Sequence, residues 1–485
     1  MWRLSLALSA LIALNAAANP IQDENAKPGT TAWKLVNGRS TDIEGYASLT
    51  SVNVGGQIRF FVSTTASTYS IDFYRLGYYQ GNGARSVVSV SKLTGHVQPV
   101  PAPDPTTGLI ECHWTDPYTL SIPSDWVSGV YLAKMTAQPG GQQNWMMFVV
   151  RDDARVSGFL FQSSVTTMEA YNGWGEKSLY PFNSTGPQAS KVSFDRPYGA
   201  GAGFTEFERW EFPTVRFLEK EGYDVTYCTS IDTHANGNLL LSHRGFLSVG
   251  HDEYWSFEMR RNIEHARDSG VNLAFLSSNT SYWQMRLESD SNGDANRTIV
   301  AYKEKALSSD PIVTDGDPTN DYLTTTAFRN PPVNLPEEVL KGSMWTFTDS
   351  PVSADIVVED TSQWVFAGTG LHPGDHLPGL LGYEVDREFS AFPPNTVRLA
   401  HSPFTGYKGA TDYSDMTIYQ APSGAWVFST GSMEWAYGLD DNGPHESPTP
   451  AGGFLSPAAQ QITRNVLNRF LTVEAHGKRR SVARR

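Results

Sequence analysis

The alternation of apolar and polar positions is sharpest between Gly245 and Trp283. Phe246-Leu247-Ser248-Val249 is an apolar run too short for a helix and reads as a buried strand. Gly250 ends it, and His251-Asp252-Glu253-Tyr254-Trp255 follow at once. Ser256 supplies an N-cap for a helix in which Met259, Ile263 and Ala266 recur at i, i+4 and i+7, so one face packs inward. Gly270 falls where a helix end favours left-handed backbone, and Val271 to Leu276 is a second apolar strand. The spacing predicts a β–α–β unit: two parallel strands joined by a right-handed crossover. Sites in open parallel sheets form outside the carboxyl ends of the strands. HDEYW and SSNTSYW both fall there, so an acid pair, a histidine, two tyrosines and two tryptophans share one predicted crevice.

Upstream, from Trp33 to about Val150, the pattern is short β-like runs separated by turns such as Gly55-Gly56 and Gly81-Asn82-Gly83. About seven such runs predict an immunoglobulin-like β-sandwich over 31–152, after a flexible linker at 19–30. Such a sandwich either binds a substrate or partner or simply packs against its neighbour. From Ser157 the period changes. A strand at Gly158–Gln162, a helix over Glu206–Glu221, a strand at Tyr223–Tyr227 and a short helix around Asn238–Leu241 lead into the central unit, the doubly wound α/β pattern. Residues 155–472 are read as this second domain. Asp290 to Pro336 is a long polar insertion, strands are predicted at Trp364–Ala367, Leu380–Glu384, Met416–Tyr419 and Ala425–Ser429, and Ala458–Leu471 is a closing helix.

The first 18 residues, one Arg and a short apolar run ending in small residues, read as a secretory signal peptide, which makes the protein an extracellular one. No other stretch is apolar enough to span a bilayer. A formal charge of −14 without a basic stripe before the tail at 473–485 argues against nucleic acid and anionic membranes as partners. Asn183, Asn279 and Asn296 head glycosylation sequons, making this a candidate glycoprotein; Asn279, at a strand end facing the crevice, is expected to carry no glycan. Cys112 and Cys228 are either bridged between the two regions or two buried thiols.

In the crevice, Glu253 is either a base or metal ligand, or an acid favoured by the nearby helix N-terminus. His251 is either a proton carrier or a core histidine. Trp255 and Trp283 read as walls. Tyr171, Trp174, Asn279, Tyr282 and Trp283 are the expected substrate-lining residues, the first two from the Gly- and aromatic-rich loop AYNGWGEKSLY.

GHDEYWSFEMRRNIEHARDSGVNLAFLSSNTSYWQMR, AYNGWGEKSLY, FDRPY, GLLGYEVDR and GSMEWAYGLDD together resemble the C-terminal domain of the N,N-dimethylformamidase large (beta) subunit family. The resemblance implies a class I glutamine amidotransferase-like fold and a mononuclear iron held by two tyrosines and a glutamate, acting on a small amide. Tyr254 matches one iron-binding tyrosine and Glu384, in GYEVD, the carboxylate; the crevice residues His251 and Glu253 are read, independently of the resemblance, as the catalytic pair that would move protons. The second tyrosine aligns to the helix EFERWEFPTVRFLEK, which has none; Tyr171 or Tyr282 would have to substitute. An amidotransferase nucleophile would fall at Ser277-Ser278-Asn279, which has no cysteine, and serine chemistry there would need His251 as base. Two functions are therefore expected: an iron-dependent hydrolase of small C–N amides, or a non-catalytic secreted protein binding a carbohydrate-like or other small ligand.

Overall fold

Seven strands form the central sheet, in the order Val225–Thr229, Phe159–Ser163, Gly245–His251, Asn272–Ser278, Trp426–Ser429, Thr411–Gln420, Val397–Thr405. The first five run parallel, Thr411–Gln420 runs against them, and Val397–Thr405, antiparallel to it, runs with the first five again. Every residue of the three strands that include Phe161, Tyr227 and Val249 is buried, as expected of parallel sheet covered on both faces. This is a computed structural model describing residues 19–346, 354–445 and 447–472; the expected signal peptide and the basic tail lie outside the described residues.

The predicted β–α–β unit is present. Gly245 to His251 pairs in parallel register with Asn272 to Ser278. Helix Phe257–Asp268 joins them, capped by the Ser256 hydroxyl, which accepts the Met259 amide at 3.1 Å. Gly270 takes φ 97°, and Val271 closes the helix end by donating to the Ala266 carbonyl at 2.9 Å. Chain order and spatial order diverge here. Phe159–Ser163 comes first in the chain yet lies between the second and third strands. The connections leaving it and leaving Gly245–His251 therefore part in opposite directions, and the gap between them is the sheet's topological switch point.

Three expected elements differ. The predicted helix over Glu206–Glu221 is two helices, Phe204–Trp210 and Phe212–Lys220. Pro213, which lacks an amide to continue the ladder, sits in the first turn of the second. Trp364–Phe366 is a 3₁₀ turn rather than a strand; apolar runs this short do not distinguish the two by period. Residues 20–25, expected in a flexible linker, form a helix capped by Asn19. Its Glu24 and Asn25 are buried, and Asn25 donates to Glu219 at 2.7 Å.

The N-terminal region holds a three-stranded and a five-stranded sheet that share one core, in which Phe60 meets Phe73 and Phe148 edge to face. It is fastened to the parallel sheet by a buried ion pair. Arg75 gives two hydrogen bonds to Glu219, at 2.7 and 3.0 Å, and Tyr227 gives Glu219 a third at 2.9 Å. Cys112 and Cys228 are both buried free thiols.

A four-stranded sheet, Lys191–Ser193, Thr298–Val300, Trp283–Glu288, Tyr254–Ser256, continues from the carboxyl ends of the central strands. It pairs Tyr254 with Trp283 and so brings the two predicted strand-end segments side by side.

Candidate functional site

The switch point gathers side chains from five stretches of chain. Strand Gly245–His251 ends in His251, and Glu253 follows it. The Thr167 hydroxyl accepts the amides of Glu253 and Tyr254, at 2.9 and 3.2 Å, which fixes the turn. From the loop after Phe159–Ser163 come Tyr171 and Tyr180, their rings stacked at 4.3 Å. Both hydroxyls donate to one carboxylate: Tyr171 to Glu253 Oε2 at 2.9 Å, Tyr180 to Oε2 at 2.9 Å and to Oε1 at 3.1 Å. Tyr254 donates in turn to the Tyr180 hydroxyl at 2.8 Å. It therefore reaches the cluster through the Tyr180 hydroxyl.

On the other side, His251 Nε2 lies 3.4 Å from Glu253 Oε2 and 3.2 Å from Glu384 Oε2. It is close enough for charge attraction to both, but its N–H is not aligned for a regular hydrogen bond to either. Asn279 donates to the same Glu384 oxygen at 2.7 Å. Asn279 is in left-handed backbone, φ 51°, and its amide donates to Asp386 Oδ1 at 2.9 Å. The Ser278 hydroxyl and the Lys341 ammonium also bond Asp386. The Asn279 side chain is buried and engaged, which leaves no room for a glycan.

Lys303 closes the base of the cluster. Its ammonium lies 3.4 Å from the centre of the Tyr180 ring and donates to the Leu179 carbonyl at 3.1 Å. Burial pulls its pKa down to about 8, against the attraction of Glu253 and Glu304. For His251 burial also favours the neutral ring, but the negative charge of Glu253 and Glu384 beside it wins and holds it well above the usual histidine value. Glu253 is lowered: burial opposes ionisation, and His251, Lys303 and the Tyr171 hydroxyl outweigh it. Burial, reinforced by Glu253, holds the phenols of Tyr171 and Tyr180 well above their usual range.

Of the remaining sequence candidates, Trp283 is within 5.1 Å of Lys303, and Tyr282 packs on Trp283 and Trp345 along the same side. Trp174 lies elsewhere. Its indole N–H donates to Glu44 at 3.1 Å and its ring meets Trp114, against the N-terminal sheets. Ser277 bonds Thr280 and Ser278 bonds Asp386, so neither serine is paired with His251. Sequence reasoning missed Tyr180 and Lys303. Tyr180 closes the quoted AYNGWGEKSLY loop and could have been found there; Lys303 stands in the polar insertion, where nothing marks it as buried.

Among the described residues no group of three or more His, Cys, Asp and Glu side chains is spaced to hold a metal ion. Likewise, no described helix is long and apolar enough to cross a membrane.

A mixed α/β protein with two phenols on one carboxylate at a topological switch point is the class that fold and site define. The chain belongs to the N,N-dimethylformamidase beta subunit-like, C-terminal family, whose model matches residues 70–447. The match begins well inside the N-terminal sheets. No curated protein matches the chain. Among solved structures, a Faecalibacterium prausnitzii beta-glucuronidase is 11% identical over 48% of this chain and 41% of its own, with a TM-score of 0.15. A family 123 glycoside hydrolase from Clostridium perfringens, described in work on glycolipid glycan hydrolysis, is 11% identical over 51% of this chain and 38% of its own, with a TM-score of 0.10. This chain thus spans about two fifths of the length of either, and overlaps at that level say nothing about fold or chemistry.

Proposed function

We propose that the protein is a metal-dependent hydrolase of small C–N amides, with Tyr171, Tyr180 and Glu253 as the metal cradle. The observation that carries this is the convergence of two phenol hydroxyls, each 2.9 Å away, on one Glu253 oxygen. Two phenols and a carboxylate are hard oxygen donors, suited to a ferric ion. With the phenol protons gone they carry three negative charges, which one ferric ion balances. A bound cation would offset the burial that raises the phenol pKa values, since it lowers the pKa of the oxygens it holds.

A bound ferric ion would polarise the amide carbonyl and acidify a water bound to it. The protein's own groups do the rest. Tyr254 gives a hydrogen bond to the Tyr180 oxygen and holds that ring in place. Lys303, over the ring, favours negative charge on it. His251, flanked by two carboxylates, is charged at neutral pH and is the proton donor to the departing amine nitrogen. Glu384, partly open to solvent and steadied by Asn279, accepts a proton from water. Tyr282 and Trp283 form an aromatic wall that suits a small, weakly polar amide.

The same reading takes the N-terminal sheets as an immunoglobulin-like module, the parallel sheet as class I glutamine amidotransferase-like, and the protein as exported behind a signal peptide at 1–18. The alternative, a non-catalytic binder of small or carbohydrate-like ligands, is favoured by no contact at the site. The test is amine release from a panel of small formamides and acetamides by protein loaded with iron, stripped by chelator and reloaded. Turnover that disappears and returns with iron supports the reading. Turnover that ignores the metal, or none with any amide despite a full iron complement, defeats it.

A further inference from the structure

The FDRPY segment, Phe194 to Tyr198, takes no part in the chemistry above, yet Arg196 is completely buried. A buried guanidinium must have its five N–H donors satisfied. Arg196 spends them on the loop that carries the two tyrosines. It donates to the carbonyls of Asn172 at 2.9 Å, Trp174 at 3.1 Å and Lys177 at 2.7 Å. Its other contact is Glu169 Oε1, reached at 2.7 Å by Nη2 and at 2.8 Å by Nε. Glu169 lies two residues before Tyr171, and Lys177 three before Tyr180. One side chain therefore ties down both ends and the middle of the loop, and a lysine, with three donors on a single nitrogen, could not make these five contacts.

The segment is itself anchored to the N-terminal region, through loops beside its sheets. Arg39 donates to the carbonyls of Tyr198 and Gly199, and the Asp195 carbonyl accepts the Cys112 amide at 2.7 Å. Trp174, within the loop, reaches Glu44. The loop is held from beneath by Arg196 and from the side by a region that contributes nothing to the site directly.

We propose that Arg196 is a positioning residue that holds the Tyr171–Tyr180 loop so that both hydroxyls meet Glu253. The proposal rests on reading Tyr171, Tyr180 and Glu253 as a metal cradle. It assigns to the N-terminal region the bracing of that loop through FDRPY.

The test is Arg196→Lys, which keeps the charge beside Glu169 and loses the fork. Amide hydrogen exchange is measured on metal-free full-length protein. The amides of Glu176, Leu179 and Thr185, whose hydrogen bonds lie inside the loop, should exchange roughly tenfold faster or more. Those of the central strands at Leu247 and Ala274 should be unchanged. In iron-loaded protein the phenolate-to-iron absorption band should weaken or shift in the variant. Unchanged exchange at the loop amides, or equal acceleration in loop and strands, overturns the proposal. If Arg196→Lys does not fold, Glu169→Gln, which takes the charge from the partner of Arg196, is read by the same amides with the same two outcomes. Wild-type protein that never shows the band counts against the metal cradle alone; the exchange measurement on the metal-free protein still decides whether Arg196 holds the loop.

Discussion

Glu211 offers the sharpest energetic prediction. It sits at the break between helices Phe204–Trp210 and Phe212–Lys220 and is 1% exposed. One oxygen accepts from the amide of Ser164 at 2.9 Å and from its hydroxyl; the other has no partner. Burial pushes its pKa up to about 8 from 4.5, the Ser164 bonds pulling the other way and Asp252 adding to the rise. A group whose pKa is higher folded than unfolded contributes its full stability below the unfolded value and loses it as pH rises towards the folded one. The folded state therefore weakens between pH 4.5 and about 8. At about 1.4 kcal/mol per pH unit, the loss by pH 7 is roughly 3 kcal/mol, an upper limit because side chains and water relax around the charge. Glu211→Gln keeps an oxygen for Ser164 and is neutral at every pH. It should be no more stable than wild type at pH 4.5, and its urea midpoint should pull ahead steadily up to pH 8. Any hydrogen bond the new amide nitrogen leaves unmade subtracts a constant ~1–3 kcal/mol and leaves the pH dependence intact. Parallel midpoint-versus-pH curves for the two proteins would refute the reasoning.

Three further outcomes follow from the packing. Glu219→Ala strands the buried Arg75 guanidinium and should cost about 3–5 kcal/mol, read as a fall in the urea midpoint; a cost below 1 kcal/mol would mean the pair is not buried as described. Ser256→Ala removes the cap of the central helix and a partner of His234 at 2.7 Å, and should cost about 1–2 kcal/mol by thermal melting, with the fold retained by circular dichroism. Cys112, whose thiol burial pushes up to about 12, and Cys228, which burial also holds well above the usual thiol range, should resist alkylation in the folded protein and both react once it is unfolded without reductant; a linked Cys112–Cys228 peptide would contradict this.

The central β–α–β unit was legible because each of its boundaries has a local cause: Gly250 after the strand, the Ser256 hydroxyl before the helix, left-handed Gly270 after it. The loop carrying Tyr171 and Tyr180 has no period at all. Its shape is imposed by Arg196, two dozen residues downstream, and no local pattern encodes that reach. Lys303 shows the same limit: in a polar insertion it reads as a solvated charge, and only the tertiary fold sets it over Tyr180. Tyr254 stood out through the match of HDEYW to the family's tyrosine-bearing block. Side chains adjacent on an extended chain point to opposite sides, so the phenols that meet Glu253 come from a distant loop instead.

Iron content and the visible spectrum of the purified protein, with Tyr180→Phe and Tyr254→Phe beside it, bear most directly on the proposed cradle. Tyr180→Phe removes the oxygen proposed as a ligand and keeps the ring over which Lys303 sits; Tyr254→Phe removes only a hydrogen bond to that oxygen. The account predicts one iron per chain and a phenolate-to-iron band in the wild type, loss of both in Tyr180→Phe, and a retained iron with a shifted band in Tyr254→Phe. Iron and band undiminished in Tyr180→Phe, or lost in Tyr254→Phe while Tyr180→Phe keeps them, would contradict it.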